Sequence, residues 1–186
     1  MKNKKLAKGL EEKIELPKNV DARLEKSILI LKGPKGDVRR DLNDKRIRLE
    51  KKDNFLMLTA GRFTKTKKKV IKSYAAHIKN MIRGSLDGHN YVLKICSGHF
   101  PMNVAVVNNE LVVKNFLGEK IPRKLRLKEG TIVKVEGDKI VVQSTNKEIA
   151  GQVSADIEQL MRRTGYDSRV FQDGIYLVNK DGKEIH

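Results

Sequence analysis

The chain contains 186 residues, of which 40 are Lys or Arg and 23 are Asp or Glu, so its formal net charge is +17. No apolar stretch is long enough to span a membrane, the basic N-terminus lacks the apolar segment of a signal peptide, and a single cysteine excludes an internal disulfide framework. We therefore expect a cytosolic protein with a polyanionic partner, nucleic acid before an anionic membrane surface, because such a surplus of positive charge costs self-repulsion.

Residues 1–8 are predicted to form a basic tail, and residues 9–84 a first α+β repeat. Within the repeat, β-branched and aliphatic residues predict a strand at 28–32 and a hairpin at 47–58.

The segment Gly33-Pro34-Lys35-Gly36 follows the first strand. Its pattern matches the GxxG loop of KH modules, but that loop joins two helices. We therefore predict a turn or bulge that brings basic side chains of the two flanking segments together.

A helix is predicted next, because apolar residues recur at offsets of 4, 8, 11 and 12. Its apolar stripe consists of Val70, Tyr74, Ile78, Met81 and Ile82. Arg83 and Gly84 are typical of a helix end, and the polar, glycine-rich residues 84–88 are typical of a domain boundary.

The second repeat, residues 85–178, presents the same signals in the same order. Strands are predicted at 91–95 and 110–114, and a hairpin at 132–142. The stripe of its helix is Ile149, Val153, Ile157, Leu160 and Met161, with the spacing of the first copy. The sequence therefore predicts an α+β fold, with two tandem copies of a small domain of antiparallel strands packed on one helix, followed by a tail at 179–186.

The two copies differ in the segment that precedes the helix. The offset between copies falls from 85 at the hairpins to 79 at the helices, which places about six extra residues in the first copy. They lie in residues 61–69, which contain five cations, and Arg62, Lys67, Lys68 and Lys69 are candidate RNA-binding residues. Two interpretations stay open: a flexible loop that contacts phosphates, or a solvated entrance to the helix.

Charge is distributed unevenly, at +14 in residues 1–90 and +3 in residues 91–186. The second copy nevertheless has basic clusters at 120–126 and 162–169. Because RNP-type aromatic patches and groove-reading helices are missing from the sequence, we expect these surfaces to recognise the backbone shape of structured RNA.

Catalytic signals are weak. Cys96 and His99 could form a nucleophile pair, but the sequence offers no obvious third group to orient the histidine. Cys96 continues an apolar strand, so it is predicted to be a small hydrophobic residue. Neither metal-ligand spacing nor a nucleotide-binding glycine motif occurs, and we expect no metal and no cofactor.

Five segments together resemble the ribosomal protein L6 family of the large subunit, in the branch shared by archaea and eukaryotes. They are LKGPKGDVRR at 31–40, IKNMIRG at 78–84, YVLKICSGHFPMNV at 91–104, NFLGEKIPR at 115–123 and RVFQDGIYLV at 169–178.

The resemblance implies a structural constituent of the large ribosomal subunit, near the factor-binding region and the sarcin–ricin loop. It implies large-subunit ribosomal RNA as the partner, neighbouring ribosomal proteins and translation factors nearby, a cytoplasmic location, and no membrane or homo-oligomer. It makes the second repeat the main RNA-binding domain. The residues that it favours there are Lys120, Arg123, Lys124, Arg162, Arg163, Arg169 and Gln172.

Two alternatives remain. One is a free-standing binder or chaperone of structured RNA, which would use the same cations outside the ribosome. The other is an RNA-acting enzyme that uses Cys96 and His99.

Overall fold

The computed structural model describes residues 9–61, 63–167 and 169–185, so the predicted basic tail at 1–8 lies outside the described residues. The chain divides into two compact units, with the division between Asp87 and Gly88. In the described ranges, no helix is both long enough and apolar enough to cross a membrane.

The first unit packs antiparallel strands against helix α1. Its elements are β1 (Leu10–Glu15), β2 (Asp21–Glu25), β3 (Ile28–Gly33), β4 (Gly36–Asp41), β5 (Arg48–Lys52), β6 (Phe55–Ala60) and α1 (Lys65–Leu86). The strands pair in the orders β1-β6-β5 and β2-β3-β4. Alternation turns Leu56 and Leu58 of β6 inward. They share one hydrophobic core with Leu29, Leu31 and Ile78.

The second unit repeats this arrangement with a larger sheet. Its elements are β7 (His89–Cys96), β8 (Asn103–Val107), β9 (Glu110–Lys114), β10 (Arg123–Arg126), β11 (Thr131–Glu136), β12 (Lys139–Ser144), α2 (Lys147–Leu160), β13 (Gly174–Lys180) and β14 (Lys183–Glu184). The strands pair in the orders β10-β9-β8 and β11-β12-β7-β13-β14. Leu93, Leu111, Ile140 and Ile157 lie in its core.

The predicted fold class is confirmed. β3 corresponds to β9, the β5–β6 hairpin to β11–β12, and α1 to α2, in the order that the sequence repeat predicts. Each helix covers strands of its own unit, as expected for an amphipathic helix on an antiparallel sheet.

The prediction of a basic loop at 61–69 is wrong for most of its length. Because α1 begins at Lys65, Lys67, Lys68 and Lys69 belong to the helix. The Thr64 hydroxyl caps the helix by accepting a hydrogen bond from the Lys67 N–H at 3.2 Å. Lysine is a good helix former, so the capped helix extends through this segment. Of the two interpretations, the structure supports the helix entrance.

Helix α1 also continues past its predicted end. Gly84 is buried within the helix, which ends at Leu86. The Asp87 N–H then bonds to carbonyls of the last turn, and Gly88 has a φ of +77°, the left-handed conformation that glycine adopts at helix ends.

The buried face of α1 is shifted from the predicted stripe. Its buried apolar residues are Ile71, Ala75, Ile78 and Met81, while Val70, Tyr74 and Ile82 are half-buried beside them. In α2, Ala150 is buried and Ile149 is half-buried. The buried face of each helix therefore contains an alanine, Ala75 or Ala150, with larger, partly buried side chains beside it.

The GPKG segment forms the tight turn between β3 and β4, as predicted. The Lys35 N–H donates a hydrogen bond to the Ser85 carbonyl at the end of α1, at 3.0 Å. A Cβ atom on Gly33 would clash with the same carbonyl, so glycine is required by this close approach. The turn joins two strands rather than two helices, which excludes the KH interpretation.

Residues 179–185, predicted as part of a tail, have regular structure, and residue 186 lies outside the described range. β13 continues to Lys180 and turns into β14. Asp181 anchors the turn, because its carboxylate lies 2.7 Å from Nδ1 of the buried His89 and accepts the Asn90 N–H at 3.0 Å. The turn was missed because it is held by polar groups and has little apolar pattern.

Candidate nucleic-acid interface

Two basic segments of the second unit meet at the C-terminal end of α2. Arg123, at the start of β10, donates hydrogen bonds from Nη1 to the carbonyls of Leu160 and Arg162, at 2.6 and 3.3 Å. Carbonyls at a helix end lack partners within the helix and carry partial negative charge. The guanidinium therefore satisfies them and ties the segment after α2 to the β9–β10 connection.

Glu119 lies at the centre of this junction. Its carboxylate accepts hydrogen bonds from Nε and Nη2 of Arg123 at 2.8 and 2.7 Å, and Nη1 of Arg163 lies 3.4 Å away. The hydrogen bonds from Arg123 hold the pKa of the Glu119 carboxyl below its ordinary value. Arg123 also lies over the Phe116 ring, 4.4 Å from its centroid. Its charge is therefore largely used within the protein.

The predicted RNA-binding residues of the second unit fall into two groups. Those whose side chains bond to protein groups are Arg123, Arg163, Arg169 and Gln172. Those whose exposed side chains form no ion pair among the described residues are Lys120, Lys124 and Arg162. The second group has the cations available to an external anion.

The first unit has its cationic cluster at the start of α1. Lys68 and Lys69 are exposed, Lys67 is half-buried, and none forms an ion pair within the described part of the chain. The first turn of α1 contains no acidic residue, so the positive end of the helix dipole stays uncompensated there. Arg62, predicted to belong to the same cluster, lies outside the described residues.

A buried carboxylate fixes the far end of the segment that follows α2. Asp173 accepts hydrogen bonds from the Gly98 N–H at 2.5 Å and from the His99 N–H at 3.3 Å, and His99 Nδ1 lies 3.2 Å away. Burial alone would raise the pKa of the Asp173 carboxyl, but these hydrogen bonds outweigh burial and hold it below its ordinary value. Asp173 therefore clamps the start of β13 to the segment after β7.

An aromatic cluster lies beside this clamp. The rings of His99 and Phe171 stack with centroids 4.9 Å apart, and Tyr166 meets Phe171 edge-on at 5.0 Å. The Arg163 guanidinium lies 4.2 Å from the centroid of the Tyr166 ring. Sequence reasoning missed this cluster because its members come from two distant segments, which only the β7–β13 pairing brings together.

The aromatic cluster borders a cleft of about 250 Å³. The cleft is lined by both apolar and charged groups, among them Met161, Arg162, Tyr166, Phe171 and Glu158. Glu158 is exposed and forms no hydrogen bond or ion pair among the described residues.

The structure supplies the partner for His99 that the sequence did not reveal, since Asp173 contacts its ring. Cys96 is half-buried in β7 and has no hydrogen-bond partner among the described residues, so Cys96 and His99 do not form a bonded nucleophile–base pair. Within the same residues, no cluster of three or more His, Cys, Asp or Glu side chains could hold a metal ion.

Comparison with known proteins gives one family. The family model described as ribosomal protein L6 matches residues 16–88 and 100–174. Its two matches cover most of both units.

Similarity to individual proteins indicates the same family. The chain is 42% identical over 173 residues to the large ribosomal subunit protein uL6 of Saccharolobus solfataricus, which covers 92% of this chain and 96% of the relative. It is 38% identical over 176 residues to uL6 of Methanococcus vannielii, with 95% and 97% covered. It is 39% identical over 175 residues to uL6 of Methanosarcina mazei, with 94% and 99% covered.

Proposed function

Because the chain belongs to the ribosomal protein L6 family, we propose that it is a structural constituent of the large ribosomal subunit. In this proposal it binds large-subunit ribosomal RNA near the factor-binding and sarcin–ricin region and supports translation. The observation that carries the proposal is the family match, which covers both repeats.

The proposed environment follows from the same membership. The partners are ribosomal RNA and neighbouring large-subunit proteins, with translation factors nearby, and the protein acts in cytoplasmic ribosomes as a single copy of the chain. In this proposal its role is structural rather than catalytic, as the family membership suggests.

The proposed mechanism is phosphate neutralisation by cations on a rigid surface. Lys120, Lys124 and Arg162 are exposed, and Arg123 holds their two segments together through the end of α2. Because the backbone of both segments is already held in place, binding has to order only the side chains. Each phosphate that they neutralise releases counterions, which makes affinity depend on salt concentration.

A matched pair of triple variants tests the assignment of the main RNA contacts to the second unit. The first variant, K120E/K124E/R162E, changes the exposed cations at the end of α2, and the control, K67E/K68E/K69E, changes those at the start of α1. Both replace three cations with three anions, so both lower the net charge of +17 equally. The measurements are co-sedimentation with large subunits after a high-salt wash, and the salt dependence of binding to large-subunit RNA.

We expect the second-unit variant to dissociate from the subunits and the control to remain bound. For the second-unit variant, the slope of log affinity against log salt concentration should be shallower by roughly 2–3, because each phosphate that is no longer neutralised reduces the slope by about 0.9. A larger loss of binding in the α1 variant would place the main contacts in the first unit instead. Failure of the unmodified protein to stay with large subunits after the wash would favour a free-standing RNA-binding protein.

A further inference from the structure

We propose that the aromatic cluster of His99, Tyr166 and Phe171, with the cleft beside it, binds one unstacked base of the RNA. This inference rests on the proposed function and adds to it, because it assigns a base contact to a surface otherwise expected to contact only the phosphate backbone.

The rings form a prearranged stacking surface. Phe171 is held between the His99 ring, at 4.9 Å, and the Tyr166 ring, at 5.0 Å. Asp173 in turn fixes His99 through its backbone N–H and ring nitrogen. Tyr166 nevertheless remains 42% exposed. An exposed aromatic ring held in place by its neighbours suits base stacking, because every nucleobase has a π-face.

The size and charge of the cleft favour a base over a phosphate group. Its volume of about 250 Å³ is slightly below the range of roughly 300–1,000 Å³ that is typical of sites for drug-sized ligands, so it suits a small flat group. The charged residues that line it are two arginines, Arg162 and Arg163, and two acids, Glu158 and Asp173, so the cleft has no net charge that would select a phosphate.

The Glu158 carboxylate, which forms no hydrogen bond or ion pair among the described residues, indicates which bases are preferred. A carboxylate oxygen accepts hydrogen bonds from the exocyclic amino groups of adenine, guanine and cytosine, which project beyond the ring, whereas uracil offers only its ring N3–H. The Asp173 carboxylate is already engaged by Gly98 and His99, so Glu158 has the carboxylate that remains available among the residues lining this cleft. The site should therefore prefer a base with an amino group.

Cations beside the cleft can hold the phosphates that flank the extruded base. Arg162 lines the cleft and is exposed, and the side chain of Arg169 is 89% exposed although it pairs with Asp167. Binding would thus combine stacking in the cleft with phosphate contacts at its rim, the combination that single-stranded RNA sites use.

The test uses the full-length chain and three RNA hairpins of equal stem length. One stem is uninterrupted, one has a single bulged adenosine and one has a single bulged uridine. Affinities are measured by fluorescence anisotropy at one salt concentration, and the readout is the affinity ratio between bulged and uninterrupted RNA. This ratio cancels any change in phosphate contacts that the hairpins share.

The unmodified protein should bind the bulged-adenosine hairpin roughly ten times more tightly than the uninterrupted one, and more tightly than the bulged-uridine hairpin. Tyr166→Leu should bring the ratio to within about twofold of unity. Phe100→Leu is the matched control, because Phe100 is another aromatic residue of this unit, 47% exposed and outside the cleft lining, and it should keep the ratio. A 2-aminopurine at the bulge should lose fluorescence on binding to the unmodified protein and less on binding to Y166L.

Three results would overturn the inference: a ratio near one for the unmodified protein, an unchanged ratio in Y166L, or equal binding of the two bulged hairpins. If the hairpins are bound in a salt-dependent way without preference, only the base site is wrong. If none of the RNAs is bound, both the base site and the proposed function are wrong.

Discussion

The two units hold the C-terminal end of their helix in different ways. In the first, a tight turn at residues 34–35 brings the backbone N–H of Lys35 to the Ser85 carbonyl. In the second, the corresponding connection, residues 115–122, is longer, and the Arg123 guanidinium reaches the Leu160 carbonyl instead.

This difference shows what a longer connection adds to the same fold. A short turn anchored by backbone leaves little room for side chains at the helix end, and Gly33 has none. The longer connection of the second unit needs a charged side chain as its anchor, and it presents Lys120 and Lys124 around that anchor. In the unit with the smaller net charge, two basic segments are therefore joined at the end of the helix.

The largest effect should come from removing the close approach in the first unit. Gly33→Ala would force a Cβ atom into the Ser85 carbonyl and should reduce the free energy of unfolding by about 3 kcal/mol, the range of an overpacked site. Urea denaturation followed by circular dichroism measures the loss. Gly61→Ala is the control, because a Cβ atom there meets nothing within 4 Å, and it should change stability by less than about 0.5 kcal/mol. Equal effects would mean that the backbone contact at Ser85 does not hold the helix end.

Removing the Asp173 clamp should cause the second largest loss of stability. The clamp should also make stability depend on pH. The pKa of this carboxyl is lowered in the folded state, so its contribution is present above the unfolded value near 4 and is lost as the pH falls through the lower folded value. Asp173→Asn should cost about 2 kcal/mol at pH 7, because it weakens charged hydrogen bonds. It should also flatten the fall in stability between about pH 4 and pH 2.

Calorimetry at a series of pH values measures both effects of Asp173→Asn. Asp138→Asn is the control, an exposed aspartate in the β11–β12 turn of the same unit, and should keep the pH profile of the unmodified protein. A D173N profile parallel to that of the unmodified protein would contradict the clamp.

Replacing the anchor of the second unit should have a slightly smaller effect. Arg123→Met keeps an apolar chain over Phe116 but removes the bonds to Glu119 and to the helix-end carbonyls, and should cost about 1.5 kcal/mol. Arg126→Met, at an exposed position of the same strand, should cost less than about 0.5 kcal/mol. Chemical denaturation of the two variants side by side compares them, and equal stability would mean that Arg123 is only a surface cation.

The smallest effect should be a gain in stability in the first unit. Lys67→Glu would place an acid three residues after the Thr64 cap, which creates a capping box and opposes the helix dipole, and should add about 0.5–1 kcal/mol. Lys79→Glu makes the same change of charge in the middle of α1 and should leave stability nearly unchanged. If thermal unfolding shows no difference between the two, the start of α1 is not under electrostatic strain.

Periodicity and repetition predicted the fold class and the order of its main elements, because each copy buries one stripe of its helix and alternate residues of its strands. They failed at residues 61–69, where a lysine-rich segment has no apolar pattern and the Thr64 cap decides its structure. They also missed the end of α1, where Gly84 is tolerated inside a helix that packs closely.

The candidate interface was less predictable than the fold. The sequence pointed to two basic segments of the second unit, which the structure places together at the end of α2. It could not separate cations that hold the protein together from cations that face outwards. Arg123 and Lys124 are adjacent in sequence, yet one is bonded to Glu119 and the other is exposed. The aromatic cluster could not be foreseen, because it depends on the pairing of β13 with β7.

That pairing also sets an order of events during synthesis. β7 lies in the middle of its sheet, between β12 and β13, and β13 begins only at Gly174. At a translation rate of about 5–20 residues per second, the edge of β7 that pairs with β13 stays unpaired for roughly 4–17 seconds. The described strands and helix of the first unit are complete by Leu86, so that unit can fold while the second still exposes an open strand edge. The nascent chain is therefore most exposed to aggregation in the interval before residue 180 emerges.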